Sequence, residues 1–105
     1  MGVIIGDVIV TDSGLVAAGN YKAGAVLGLA GGKLKLSDKN ATDGSEKPYA
    51  VLLEDINSDT DRVAPVLLFG EVYRGVLSFG QNWSLDEIVV ALRNIGIFAK
   101  GVVNG

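Results

Sequence analysis

The side chains of this sequence that could do chemistry are carboxylates, hydroxyls and lysines, because the chain contains no cysteine and no histidine. Those absences remove the commonest general base, the commonest metal ligand and the thiolate nucleophile. Glu54, Asp55 and Glu71 could approach one another across a β-hairpin as a carboxylate pair, the minimum for glycosidase-type acid–base catalysis. A small carboxylate-dependent hydrolase is therefore one hypothesis, although no cleft is evident in a domain of 105 residues.

Two other patterns that could hold a ligand are incomplete. Residues 55–61 place oxygen side chains at alternate positions, as a calcium-binding loop does, but Thr60 and Val66 stand where that loop needs glycine and glutamate. The glycines of residues 28–32 lack the spacing of a phosphate-binding loop and lead into a strand. We predict that the protein binds no metal and no cofactor and is not an enzyme.

Composition limits the classes of partner. Nine basic and twelve acidic residues give a net charge of -3, and no basic cluster follows an element, so we predict no nucleic-acid partner. No apolar stretch approaches the length that spans a bilayer, and we predict a soluble, cytoplasmic chain without a membrane partner. Hydrophobic residues make up 49% of a chain that has room for only a modest core. We therefore expect part of the apolar surface to be buried against other chains.

The elements that must position these residues are mostly strands. Residues 48–55 and 63–74 are apolar runs rich in β-branched and aromatic residues, which predict a β-hairpin with a long polar turn. Residues 23–29 and 33–36 predict a second hairpin that turns at the glycine pair between them. Three other segments are also predicted: a strand at residues 75–80, a mobile polar surface loop at residues 37–47, and a final short strand at residues 97–103 that is interrupted by Lys100-Gly101.

One helix is predicted, and its first turn follows Ser84. Ser84 and Glu87 have the spacing of a capping box, and Trp83 and Ile88 have that of a hydrophobic staple. Gly96 is placed to end the helix in a left-handed conformation. An apolar stripe would face the core through Leu85, Ile88, Val89 and Leu92. The fold class is thus mostly β with one short helix (α+β).

The N-terminal segment, residues 3–10, is apolar on both faces and precedes Asp12-Ser13-Gly14, which predicts a turn. The segment is either an edge strand of the core or an arm that docks on another protein by strand addition. Aromatic residues of the middle of the chain are expected mostly in the core; they are Tyr49, Phe69, Tyr73, Phe79 and Trp83.

Several short motifs follow one another in an order that resembles a known family. They are the Gly24–Gly28 entry with its Val-Leu-Gly, the strand at residues 48–55, the Gly70-Glu71-Val72 strand and the close at residues 91–97. Their order and spacing are similar to those of the phage head decoration protein family, typified by decoration protein D of lambdoid phages. The resemblance implies a β-clip-like small barrel or ribbon domain that forms a homotrimer. Residues 1–20 would be an N-terminal arm or strand, and residues 21–105 a single head-decoration domain.

The same resemblance implies a function. The protein would be a capsid decoration, or cement, protein that binds the outside of an expanded icosahedral phage head as trimers at three-fold positions and stabilises it. Its partners would be the major capsid protein and its own copies, and it would reach the virion surface after synthesis in the host cytoplasm. The alternative in the same class is a tail-associated or fibre-associated trimerisation module. Capsid contact is expected at Val3, Ile4, Ile5, Val8 and Ile9, and trimer contact at Glu71, Tyr73 and Arg74.

Overall fold

The computed structural model describes residues 4–101 of the chain, with side chains from residue 9 onward. In that range the chain forms one α-helix, α1 (Leu85–Arg93), and a short 3-10 turn, Arg74–Val76. The strands are β1 (Ile4–Val16), β2 (Gly19–Tyr21), β3 (Val26–Ala30), β4 (Lys33–Leu36), β5 (Pro48–Leu52), β6 (Ile56–Ser58), β7 (Arg62–Tyr73) and β8 (Ile97–Lys100). The prediction of a mostly β chain with one short helix is confirmed.

The main sheet closes into a small barrel-like ring. Its order is β1-β4-β3-β5-β7-β8, and the additional pairing of β7 with β1 closes the first five strands on themselves. The ring can close because β7 is long enough to pair with three strands. One edge of β7 pairs with β1, and its other edge pairs first with β5 and then, in parallel, with β8. β2 and β6 form a separate two-stranded sheet.

Successive residues of the ring strands are buried on opposite faces, and this gives the domain two apolar clusters. On β3, for example, Val26 belongs to the cluster under α1, whereas Leu27 belongs to the other. The interior of the ring receives side chains from all five strands: Val16, Leu27, Leu34, Ala50, Leu52, Ala64 and Val66. The outer cluster joins α1 to the sheet through Val51, Leu67, Val72, Ile88, Val89, Leu92 and Ile97.

The helix begins as its sequence predicts. The Ser84 hydroxyl accepts a hydrogen bond from the Glu87 backbone N–H at 3.2 Å, and the Ser84 N–H donates to the Glu87 carboxylate at 3.0 Å. This capping box satisfies two N–H groups that a helix start leaves free. Gly96 has a φ of 90°, as expected of a left-handed helix end. The predicted stripe is wrong at Leu85, which is 39% exposed because it lies in the first turn, outside the buried set of Ile88, Val89 and Leu92.

Both predicted hairpins are present. β3 and β4 pair around Gly31 and Gly32, whose φ angles of 58° and 83° need glycine. β5 and β7 pair antiparallel, with Val51 opposite Leu67. The long polar turn between them is more ordered than a simple turn, because it contains β6, which pairs with β2.

The N-terminal prediction changes most. β1 continues through Asp12-Ser13-Gly14, so the predicted turn is wrong; Ser13 lies opposite Pro65, in an uninterrupted ladder with β7. The register then shifts, since Ile5 lies opposite Glu71 and Val10 opposite Phe69. Four residues of β1 therefore face one of β7, which is a large bulge. The division into an arm of residues 1–20 and a body stays a prediction.

Other segments also differ from expectation. The predicted strand at residues 75–80 is wrong: the 3-10 turn Arg74–Val76 occupies its start, and Ser78 forms only an isolated bridge with Ala25. The final strand includes Lys100, whereas Val102 and Val103 lie outside the described residues. The polar loop at residues 37–47 is anchored by two fully buried serines, Ser37 and Ser45.

Candidate interaction surfaces

The carboxylates that could form a hydrolase pair are not brought together. Glu54 and Asp55 line a polar depression with Asn57 and Arg62, and Asp55 accepts the Ala23 N–H at 2.7 Å. Glu71 lies in a different depression, beside Phe98, and its carboxylate is 3.3 Å from the Lys100 ammonium. Glu54, Asp55 and Glu71 therefore do not form the converging carboxylate pair that the hydrolase hypothesis requires.

In the segment that resembles a calcium loop, residues 55–61, Asp55 and Asp61 each bind a different part of the chain. The Asp61 carboxylate is 2.6 Å from the Lys33 ammonium and also accepts the Ala18 N–H. These interactions lower the pKa of Asp61, chiefly through the hydrogen bond from Lys33. No cluster of acidic side chains suited to a metal ion occurs within the part of the chain that the structure describes.

The predicted trimer residues lie at the end of β7, next to β8. Glu71 is paired with Phe98 and Tyr73 with Lys100 in the parallel ladder. Arg74 is exposed and follows directly. Because Glu71 already forms an ion pair with Lys100 of the same chain, the expected pairing of Glu71 with Arg74 of a second copy would have to compete with it.

The predicted capsid residues are only partly described. The backbone of Ile4 and Ile5 pairs with Val72 and Glu71 of β7, and Ile9 is 40% exposed. Val3 lies outside the described residues, and the side chain of Val8 is not described. The bulge, and a second register shift after Val10, separate this stretch from the regular ladder that begins at Thr11.

Sequence reasoning placed the aromatic residues in the core, and for two of them this is wrong. Tyr49 is 47% and Phe69 40% exposed, while Tyr73, Phe79 and Trp83 are half-buried. The reason is that the barrel interior is narrow and filled by Val, Leu and Ala. Phe69 instead packs edge-to-face with Phe98, with ring centroids 6.2 Å apart. The excess of apolar residues over core capacity was the signal for such exposed surface.

Part of this exposed apolar surface lines one groove. The groove lies beside the part of β1 that precedes its single position paired with β4, Val16 with Leu34, and all five ring strands contribute to its lining. We call it the seam groove; its volume is about 220 Å³, and its lining includes Asp12, Gly14, Leu15, Leu29, Leu34, Tyr49, Val66 and Leu68. Gly14 matters here because a Cβ at that position would lie 2.5 Å from Leu34 Cδ1. The volume of the groove is below the range of about 300–1,000 Å³ that is typical of small-molecule pockets.

The opposite side of the ring is sealed by the loop at residues 37–47. The Ser45 carbonyl lies so close to Gly28 that a Cβ there would be 2.2 Å from it. Ser37 donates its hydroxyl to the same carbonyl at 2.7 Å, and the Trp83 indole N–H donates to Ser37 Oγ. Buried polar groups are thus paired, which keeps the loop against β3 without an energetic penalty.

Charged contacts fasten this loop from outside. Lys39 forms an ion pair with Glu87 of α1 and lies 5.9 Å from the Trp83 ring, and Lys35 forms one with Asp43 at 2.9 Å. The hydrogen bond from Lys39 lowers the pKa of Glu87, and the hydrogen bond from Lys35 lowers the pKa of Asp43. Asp38, which accepts from Asn82 at 2.7 Å, also has a lowered pKa.

Within the described residues, no helix is long and apolar enough to cross a membrane. Among protein families, the model of the bacteriophage lambda head decoration protein D matches residues 6–98 of the chain. A comparison with the curated proteins finds no match. The family match spans β1 to β8, so it includes the ring, the helix and both surfaces described above. The resemblance inferred from the sequence is confirmed.

Proposed function

This chain belongs to the family of the bacteriophage lambda head decoration protein D, and from that premise we propose that it decorates and stabilises an expanded phage head. The family match over residues 6–98 is the observation that carries the proposal. The family is one of structural capsid proteins, which is not an enzyme class. A place on the virion and a capsid-protein partner follow from the same membership.

The finer part of the proposal is a homotrimer bound at the three-fold positions of the outer capsid surface. A ligand that binds the assembled lattice but not its dissociated subunits stabilises the lattice by mass action. Three linked copies bind together and gain effective concentration, so weak single contacts suffice. The exposed apolar residues, which include Leu29, Tyr49 and Phe98, are consistent with burial against other chains.

The contact with the capsid is proposed for the N-terminal segment, through Val3, Ile4, Ile5, Val8 and Ile9. The bulge in β1 supports this, because it leaves the residues before Val10 with only two paired positions on β7. An extended segment with few internal partners can exchange them for main-chain hydrogen bonds to an exposed strand of the capsid protein.

Decoration of purified heads tests the function. Expanded heads without their own decoration protein are mixed with the protein and separated from free chains by sedimentation. We expect saturable binding and a higher temperature of head disruption, whereas unexpanded heads serve as the control and bind little. If the protein does not bind expanded heads from any phage that encodes a protein of this family, the proposal is contradicted.

A further inference from the structure

We propose that copies of this chain assemble edge to edge, with β8 of one copy added to β1 of the next beside the seam groove. The inference rests on the trimer of the proposed function and names the two surfaces that would form it. Each copy would contribute one β1 edge and one β8 edge. Such a head-to-tail contact closes into a ring when the rotation between copies allows it.

The first surface is the edge of β1 that faces away from β7. Pro65 has no N–H, and its carbonyl accepts the Leu53 N–H at 3.1 Å, on the side of β5. Ser13, directly opposite Pro65, therefore directs its own N–H and C=O away from β7. Four residues further, Ala17 donates to the Leu34 carbonyl of β4, which confirms the direction because alternate residues of a strand point to the same edge.

This edge is largely free. Within residues 4–101, β1 and β4 are paired only at Val16 and Leu34. The Ser13 N–H is covered by a carboxylate of its neighbour Asp12, at 2.7 Å. A charged side chain at a strand edge protects it against non-specific pairing.

The second surface is the outer edge of β8. The Gly96 carbonyl accepts the Gly70 N–H at 3.1 Å, so alternate residues from Gly96 face β7. Ile97 and Ala99 therefore direct their backbone groups outward. In the described part of the chain β8 pairs with β7 alone, and it is the last strand of the sheet order.

The two edges are complementary in charge and in polarity. Asp12 forms no ion pair within the described residues and lies at a groove that also exposes Leu15, Leu29 and Tyr49. The β8 side carries Phe98, 37% exposed, between Arg93 and Lys100. Adding β8 to β1 brings Phe98 to the groove and one of these cations to Asp12. A second copy is the occupant that fits, because residues 4–10 of the same chain belong to β1 itself and cannot add to its edge.

Crosslinking tests the contact, and the chain suits it because it contains no native cysteine. Three variants are oxidised: Asp12→Cys, Phe98→Cys and the double variant. We expect covalent trimers on a non-reducing denaturing gel from the double variant, and single chains from each single variant. Dimers from either single variant would show a two-fold contact and overturn the inference, as would a trimeric double variant without crosslinks.

A backbone substitution gives a second readout. Ser13→Pro removes the N–H at the free edge and leaves the β7 ladder intact, while Ser13→Ala is the matched control that keeps the N–H. We expect light scattering to report trimers for Ser13→Ala and monomers for Ser13→Pro. Trimers from both variants would contradict the inference.

Head binding by the native chain is measured in parallel. If the native chain forms a trimer that decorates heads but the double variant yields no crosslink between positions 12 and 98, only the edge-to-edge contact is overturned. A crosslinked trimer that binds no heads supports the contact and contradicts the proposed function.

Discussion

The two sides of the ring differ in how completely the chain covers them. On the sealed side, α1 and the loop at residues 37–47 cover the sheet, with buried serines, a capping box and ion pairs holding them in place. At the seam groove, β1 and β4 share one paired position and leave Leu29 and Tyr49 exposed. The difference indicates that the sealed side is fastened by contacts within the chain, while the groove side has exposed residues free to contact partners.

The largest expected effect is the loss of stability when a leucine of the sealed side, rather than one of the seam groove, is truncated. Leu67 is fully buried under α1, and Leu67→Ala should destabilise the fold by about 2–5 kcal/mol through lost burial and a cavity. Leu29 is 40% exposed in the seam groove, so Leu29→Ala should cost clearly less. Urea unfolding of both variants measures the difference. Equal losses would mean that the groove is part of the core in the isolated chain.

A glycine on the sealed side should give the next effect. Gly28→Ala places a Cβ against the Ser45 carbonyl, so the loop must move away from β3. We expect a loss of about 1–3 kcal/mol, as for other overpacked sites. Gly75→Ala is the control, because a Cβ at Gly75 meets no atom within 4 Å. Thermal unfolding of the two variants should separate them, and matching curves would show that the loop is loosely attached.

The helix cap should contribute less. Ser84→Ala removes the hydroxyl that accepts the Glu87 N–H, and we expect a loss of about 1 kcal/mol in the free energy of unfolding. Ser84→Asp restores an acceptor and should recover most of the stability, which chemical denaturation can determine. If Ser84→Ala unfolds like the native chain, the capping box does not stabilise the sealed side.

Acid should loosen the sealed side gradually. Hydrogen bonds lower the pKa of Asp38, Asp43 and Glu87 in the folded state, so the stability they contribute is present above about pH 4 and is lost as pH falls through the lowered values. Trp83 fluorescence should report this, since its indole contacts the loop. Asp43→Asn should weaken the acid dependence. An unchanged pH profile in that variant would exclude the Lys35 to Asp43 contact as a contributor.

Local signals in the sequence predicted local structure well. Gly31 and Gly32 occupy positions where both φ angles are positive, and Ser84 with Glu87 caps the helix, because neighbouring residues alone determine these features. Closure of the ring depends on the pairing of β1 with β7, whose residues lie far apart in the chain. Nothing near Asp12-Ser13-Gly14 reveals that partner, and the segment was therefore predicted as a turn.

The residues that form the candidate surfaces were harder to predict from the sequence. The apolar excess correctly suggested exposed hydrophobic surface, but the sequence could not show which residues would form it. Tyr49 and Phe69 are residue types that are usual in a protein core. Here they are exposed, because smaller side chains fill the interior of the ring. The edge of β8 becomes visible only with the strand order.

Electron cryomicroscopy of expanded heads incubated with the protein tests the central claim most directly. The account predicts added density on the outer surface at the three-fold positions, into which three copies fit with β8 of each beside β1 of the next. Heads without added density, or density occupied by single separated copies, would contradict it.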